Sequence, residues 1–157
     1  MSYREHQWKP NVTVAAVVER DGRFLLVEED TRSGIRYNQP AGHLEDGESL
    51  IDAVIRETRE ESACDFTPEA LLGVYQYAHP QDEVTYLRFA FTGTVSEPLP
   101  GRQLDTGIRR ALWMSAAEIH ACADRHRSPL LQRCVDDYLA GTRYPLQAIH
   151  HFHRLVS

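Results

Sequence analysis

The chain has 157 residues, of which 42% are hydrophobic, and this composition predicts one domain spanning residues 1–157 with its own core. The formal net charge is −6, which excludes the broad basic surface that general nucleic-acid binding requires. The longest apolar run, 14–18, is too short for a membrane span and residues 1–10 lack the core of a signal peptide, so we expect a cytoplasmic protein without membrane partners. The expected assembly is a monomer or a homodimer.

The first part of the chain predicts two strands joined by a tight turn. Residues 12–19 and 23–28 are rich in β-branched and large apolar side chains. The Asp21-Gly22 pair between them is typical of a two-residue hairpin connection. We therefore expect these two strands to lie next to each other in antiparallel pairing.

A helix with an explicit start signal follows. Ser49 precedes Asp52 by three positions, the spacing at which a side-chain oxygen accepts a hydrogen bond from the backbone of the first helical turn. The helix is predicted over residues 50–61. Strand-like runs then occur at 71–78, 85–94 and 110–114, and the turn between the first two contains Asp82 and Glu83.

Two more helices are predicted in the last third of the chain. Ser115, three residues before Glu118, opens one of them, and Ser128-Pro129 opens the other over residues 130–140, before Gly141. The order of strands and helices predicts an α/β sandwich whose sheet is mixed or antiparallel.

Residues 42–64 contain a fixed spacing of glycine, glutamate and arginine, GHLEDGESLIDAVIRETREESAC. The segment resembles the Nudix box, G-x5-E-x7-R-E-U-x-E-E-x-G-U, in which U is a bulky aliphatic residue. Its charged positions are all matched, by Glu48, Arg56, Glu57, Glu60 and Glu61. The departures from the box, which remove no charged group, are Thr58, Ala63 and Cys64.

Three of these glutamates share one edge of the predicted helix. At about 100° per residue, Glu57, Glu60 and Glu61 fall within an arc of about 100° beside the apolar face. Like charges at this spacing destabilise a helix unless a positive charge lies between them. Mg²⁺ prefers oxygen ligands of this kind, and Mn²⁺ is a plausible substitute. A solvated acidic helix face is the simpler alternative, and the complete box argues against it.

The Nudix resemblance implies an α/β/α sandwich with a mixed β-sheet and a metal-dependent hydrolase that cuts phosphoanhydride bonds without a covalent intermediate. It implies three catalytic glutamates, Glu57, Glu60 and Glu61. It also implies a set of metal ligands, Ala41 through its backbone carbonyl together with Glu57, Glu60 and Glu61. Glu48 and Arg56 are expected to pair and so hold the preceding loop against the helix.

The general base stays open at the level of sequence. Many family members carry another acid shortly before the last strand, at the position that Gly107 occupies in this chain. Asp105 is the nearest acid, and Asp82 and Glu83 lie in a turn that could overhang the site. The candidates are therefore these three residues and the box glutamates.

The resemblance extends over most of the chain to one group of Nudix phosphatases, through residues 37–45, 86–89, 127–130 and 141–146. Proteins of that group hydrolyse nucleoside di- and triphosphates and thiamin-type pyrophosphates, so a small-molecule nucleotide or pyrophosphate is the implied substrate. The candidate substrate-binding residues are Arg88, Arg36, Tyr37 and His43. Further aromatic candidates for stacking on a planar ring are Trp8, Tyr75, Tyr77 and Tyr86.

Two other functions compete with hydrolysis: a non-catalytic Nudix-fold sensor of a nucleotide-like ligand, and an acidic interaction domain without any ligand. The intact glutamate set argues against the first. The cysteines form no C-x-x-C pair and predict small core residues at Cys64, Cys122 and Cys134. An H-H-x-H run without a closed ligand set predicts a surface or packing role for His150, His151 and His153.

Overall fold

The structure is a computed structural model that describes residues 7–155. Its strands are β1 (Asn11–Val17), β2 (Glu19–Arg20), β3 (Arg23–Thr31), β4 (Gly34–Asn38), β5 (Ala41–His43), β6 (Phe66–Ala78), β7 (Thr85–Val95), β8 (Ile108–Ser115) and β9 (Tyr144–Pro145). Its helices are α1 (Leu50–Ser62), α2 (Ala116–Ala121) and α3 (Leu130–Leu139), with 3₁₀ turns at Ala123–Arg125 and Leu146–Ala148. No helix within residues 7–155 is both long and apolar enough to cross a bilayer.

The strands form two sheets. The first has the order β5-β1-β7-β6-β9; β1 and β7 run parallel while the other neighbours are antiparallel, so this sheet is mixed as expected. The second sheet is antiparallel and places β3 between β4 and β8, with β2 also paired to β3.

Helices cover the strands on two sides. Along β1, Val14 and Ala16 belong to one hydrophobic cluster, which includes Val54 of α1. Ala15 and Val17 belong to a second cluster, which includes Leu131 of α3. Because successive strand residues point to opposite faces, this alternation places the β layer between α1 and the C-terminal helices. The predicted α/β/α sandwich is confirmed.

The predicted pairing of the first two strands is wrong over most of its length. β1 pairs with β5 and β7, whereas only the two residues of β2 pair with β3 across the Asp21-Gly22 turn. Val18 separates β1 from β2, and its carbonyl accepts a hydrogen bond from the Leu25 amide at 2.9 Å. Since both faces of β1 carry buried apolar residues, this strand is best placed inside the larger sheet, beside β7.

Helix α1 begins and ends much as the sequence predicts. The Ser49 hydroxyl accepts a hydrogen bond from the Asp52 amide at 3.0 Å, and the helix ends at Ser62. Ala63, which stands where the box has glycine, adopts a left-handed conformation with φ 63°, and its amide donates to the Arg59 carbonyl at 2.9 Å. The substitution therefore keeps the helix end at the cost of backbone strain.

The start signals of the later helices are also confirmed. The Ser115 hydroxyl accepts from the Glu118 amide at 3.1 Å, and the Ser128 hydroxyl accepts from the Leu130 amide at 3.2 Å. Strands β4 and β5 were not predicted, and β6 begins five residues earlier than expected because it accommodates Pro68 at an irregularity in its pairing with β7.

Candidate active site

The edge of α1 that carries the box glutamates faces strand β5. A Cβ placed on Gly42 would overlap the carboxylate of Glu57, so only glycine permits the close approach of this side chain to the strand. The glycine that opens the box is therefore explained by packing: it allows a carboxylate to lie directly on the backbone of β5.

The backbone of Ala41 is directed towards the same helix edge. Strand β5 lies at the edge of its sheet and is bonded to β1 through the Pro40 carbonyl and the Leu44 amide, each at 3.0 Å. The Ala41 amide instead donates to Oε1 of Glu61 at 2.8 Å. In an antiparallel ladder the N–H and C=O of one residue point to the same side, so the Ala41 carbonyl also faces away from β1.

Asp105 joins the glutamates although it lies more than forty positions away in the sequence. One carboxylate oxygen from each of Glu57, Glu60 and Asp105 lies within 4.8 Å of the other two. The loop is held in place because the Asp105 amide donates to the Glu60 carbonyl at 3.0 Å, and Ile108 donates to the Asp105 carbonyl at 3.0 Å. Of the acids considered as a general base outside the box, Asp105 is the one that the fold brings to this cluster.

Arg56 bridges most of the carboxylates around the helix. Its guanidinium contacts Glu48 at 2.7 Å, Glu57 at 2.8 Å and Glu60 at 3.1 Å, and it donates to the His43 carbonyl at 3.0 Å. The predicted pairing of Glu48 with Arg56 is confirmed, and this hydrogen bond lowers the pKa of Glu48. One guanidinium nevertheless faces several carboxylates, so the cluster keeps an excess of negative charge.

The excess charge and the loss of water change the acidity of the cluster. Burial raises the pKa of Glu61 to about 8, and the negative charges of Glu57 and Glu29 act in the same direction, against the Ala41 amide. Burial also raises the pKa values of Glu57 and Glu60, and the Asp105 charge adds to the effect at Glu60. A cation bound among these oxygens would relieve both the repulsion and the desolvation.

A cavity of about 970 Å³ opens beside the cluster, and the two meet at Ala41 and Gly42. Its floor is the first sheet, which contributes Thr13, His43, Tyr77, Tyr86 and Arg88. Its walls come from the β3–β4 connection, the β6–β7 turn and the segment that leads into α3. This cavity has aromatic rings, the guanidinium of Arg88 and an adjacent acidic cluster. Such a site suits a ligand with a planar part and a phosphate part.

Only two of the four candidate substrate-binding residues line the cavity. Arg88 and His43 line the cavity, but Arg36 and Tyr37 are not among its lining residues. Tyr37 is 8% exposed because β4, which was not predicted, places it in the core, and the Arg125 guanidinium lies 4.8 Å from its ring centre. The Arg36 guanidinium donates to the Ile35 carbonyl at 3.0 Å.

Two of the four other aromatic candidates line the cavity. Tyr77 and Tyr86 line the cavity, whereas the Tyr75 hydroxyl donates to Asp137 at 2.7 Å and Trp8 is exposed outside the cavity lining. His151 and His153 are exposed side chains with ring nitrogens 3.2 Å apart, and neither belongs to the group of Glu57, Glu60 and Asp105.

Sequence reasoning missed three polar residues near the cavity. Glu29 and Asn38 line it, and Gln39 lies behind it, only 1% exposed and in contact with Arg88. Burial raises the pKa of Glu29, and Arg127 at 3.7 Å opposes the shift. Glu29 lies two residues after the buried Val27 on β3, so their side chains point to the same face of the strand; this spacing was the available signal for Glu29.

Comparisons with known proteins agree with the box and with its wider context. A family model described as NUDIX domain matches residues 8–134. Phosphatase NudJ of Escherichia coli strain K12 is 40% identical over 145 residues, which cover 92% of this chain and 94% of that protein. The protein of the same name from Shigella flexneri gives the same values. The group of phosphatases expected from the sequence is thereby confirmed.

Solved structures show the same fold. A NUDIX hydrolase from Nitrosomonas europaea superposes with a TM-score of 0.90 at 52% identity, over 92% of this chain and 98% of that one. A MutT NUDIX hydrolase from Burkholderia pseudomallei gives a TM-score of 0.70 at 19% identity, over 83% of this chain and 98% of that one. The more distant similarity supports the fold alone.

Proposed function

The chain belongs to the Nudix hydrolase family, and we propose that it uses Mg²⁺, or Mn²⁺ in its place, to hydrolyse phosphoanhydride bonds of nucleoside di- and triphosphates or thiamin-type pyrophosphates. The observation that carries this proposal is the convergence of Glu57, Glu60 and Asp105 within 4.8 Å, beside the outward-facing backbone of Ala41. From composition and charge we further propose that residues 1–157 act as one cytoplasmic domain without nucleic-acid or membrane partners. We propose separately that the protein is a monomer or a homodimer.

The donor atoms suit a hard divalent cation. All are oxygens, from the carboxylates of Glu57, Glu60, Glu61 and Asp105 and from the Ala41 carbonyl. Mg²⁺ binds carboxylate, carbonyl and phosphate oxygens, whereas zinc sites draw on histidine and cysteine. From the family resemblance we propose four ligands of the cation: Ala41, Glu57, Glu60 and Glu61. The geometry of the cluster supports adding Asp105. A bound cation would polarise the phosphate oxygens and acidify a neighbouring water.

The chain's own residues position the reactants. Arg56 holds Glu57 and Glu60 in place through its two contacts, and the Ala41 amide holds Oε1 of Glu61. We propose that a carboxylate of this cluster, Glu61 or Asp105, accepts the proton of the attacking water. Positioning and charge stabilisation, without a covalent step, supply the rate enhancement.

The cavity is proposed to hold the rest of the substrate. The His43 and Tyr86 rings lie 6.4 Å apart and are tilted by 51°, and both face the cavity. A planar base or pyrimidine ring could pack on these rings and on Tyr77. Arg88, on the same floor, is proposed as a further substrate-binding residue.

A metal-dependent screen of phosphate release tests the proposal. Purified protein is incubated with nucleoside di- and triphosphates and with thiamin pyrophosphate, in Mg²⁺, in Mn²⁺ and in excess EDTA. We expect release with either metal and none with the chelator, because without a cation the carboxylates repel the substrate phosphates. Binding of these compounds without any cleavage would favour the non-catalytic sensor, and full activity in EDTA would contradict the metal mechanism.

A further inference from the structure

Arg88 is a buried guanidinium without a carboxylate partner in the described part of the chain. It is 5% exposed, and no ion pair within 4.0 Å joins it to an Asp or Glu of residues 7–155. Two other arginines near the site have carboxylate partners, Arg56 with Glu48 at 2.7 Å and Arg127 with Glu29 at 3.7 Å. An unpaired buried charge is costly, so a negatively charged ligand group in the cavity would stabilise this guanidinium.

The side chains that accept hydrogen bonds from this guanidinium are neutral. Nη1 donates to Oε1 of Gln39 at 2.9 Å and lies 3.8 Å from Sγ of Cys134, while Nη2 donates to Oδ1 of Asn38 at 3.2 Å. Nε is buried and has no hydrogen-bond partner in the described residues. These contacts fix the plane of the guanidinium but supply no negative charge to balance it.

The residue at position 39 determines whether the charge of Arg88 is neutralised. Gln39 is 1% exposed, and its amide nitrogen donates to the Leu131 carbonyl at 3.0 Å while its amide oxygen accepts from Arg88. A glutamate has nearly the same shape and would place a carboxylate oxygen against Nη1, forming a strong charge-assisted pair. The neutral amide therefore orients the arginine and leaves its charge available to the cavity.

We propose that Arg88 binds a phosphate group of the substrate at the cavity floor, and that Gln39 is a positioning residue that aims the guanidinium without neutralising it. A planar guanidinium presents its donors in a geometry that matches phosphate oxygens. The inference rests on the proposed function, to which it adds a direct phosphate contact besides the cation that the carboxylate cluster would hold.

The test compares Gln39→Glu with Gln76→Glu, which adds the same charge on an exposed position of β6. Steady-state hydrolysis of a nucleoside diphosphate is measured with saturating Mg²⁺. We expect Gln39→Glu to raise KM about tenfold while kcat stays within about threefold, because a ground-state contact is lost. The control should keep both constants. A lower melting temperature with unchanged KM would indicate a purely structural role for Gln39 and overturn the proposal.

Two substitutions of Arg88 give the answer even if Gln39→Glu does not fold. Arg88→Lys keeps the charge and Arg88→Met removes it, so KM should rise more in the methionine variant. Adding Gln39→Glu to Arg88→Met should raise KM no further, since the charge to be neutralised is gone. A wild-type KM in Arg88→Met would overturn the proposal.

A binding measurement separates this inference from the proposed function. If the wild type hydrolysed none of the nucleotides, the proposed function would fail, but stabilisation by inorganic pyrophosphate with Mg²⁺ could still be followed by thermal shift. A smaller shift in Gln39→Glu than in Gln76→Glu would support phosphate binding at Arg88. Equal shifts in the two variants would contradict it.

Discussion

Replacing Glu61 by glutamine tests the electrostatics of the cluster without changing its shape. The Glu61 side chain is 8% exposed, and burial raises its pKa to about 8 from an ordinary value of 4.5. For a carboxyl group whose pKa is raised in the folded state, stability is greatest below pH 4.5 and falls as the pH rises towards 8. The metal-free wild type should therefore lose stability across this range through Glu61.

The size of the stability loss follows from the size of the pKa shift of Glu61. Each pH unit above 4.5 costs about 1.4 kcal/mol until the folded-state pKa is reached, so the penalty at pH 7 is about 3 kcal/mol. Glutamine cannot ionise, and its carbonyl oxygen can still accept the Ala41 hydrogen bond. In EDTA at pH 7, we expect Glu61→Gln to be more stable than the wild type by up to about 3 kcal/mol, and to be nearly equal to it at pH 4.

Urea unfolding between pH 4 and pH 8, followed by circular dichroism in EDTA, measures this difference. Glu69→Gln serves as the control, because Glu69 is exposed on β6 and the change should have little effect at any pH. Hydrolysis with Mg²⁺ should fall strongly in Glu61→Gln, so stability and activity move in opposite directions. Equal stability of Glu61→Gln and wild type at pH 7 would refute the account of a desolvated carboxyl group.

Three further substitutions test other parts of the site. Gly42→Ala should lower kcat/KM about a hundredfold or more, measured by phosphate release, because the new methyl group displaces the Glu57 carboxylate; wild-type activity would contradict this packing. Asp105→Asn should raise the Mg²⁺ concentration needed for half-maximal rate about tenfold or more, measured by titrating the metal. An unchanged titration curve would show that Asp105 does not contribute to metal binding. Ala63→Gly should raise the free energy of unfolding by about 1 kcal/mol in urea, since glycine relieves the left-handed conformation; a loss of stability would show that the methyl contacts outweigh the strain.

Much of the site could be predicted because its interactions are local in the sequence. Helical spacing alone places Glu57, Glu60 and Glu61 on one edge, and α1 begins at the predicted residue. Its cap forms between Ser49 and Asp52, only three positions apart. The fold class follows in the same way, since the turn and cap signals divide the chain into alternating short elements.

The positions of other residues depend on contacts that are distant in the sequence. Asp105 reaches Glu60 because a loop packs against α1, and Gly107, the position expected to carry the acid, instead accepts a hydrogen bond from Asp30 through its carbonyl at 2.8 Å. Tyr37 turned out to be a core residue because β4 pairs with β3 and directs its ring inwards. Neither outcome has a signal in the local sequence.

The sequence by itself therefore determined the family, the fold class and the helix edge that carries the glutamates, because periodicity and capping act over a few residues. Only the tertiary structure decided which strands pair, that Asp105 completes the cluster, and that the neutral amide of Gln39 accepts the hydrogen bond of the buried Arg88. Those facts depend on which surfaces are buried together, and a carboxyl group or a guanidinium acquires its chemistry from that burial.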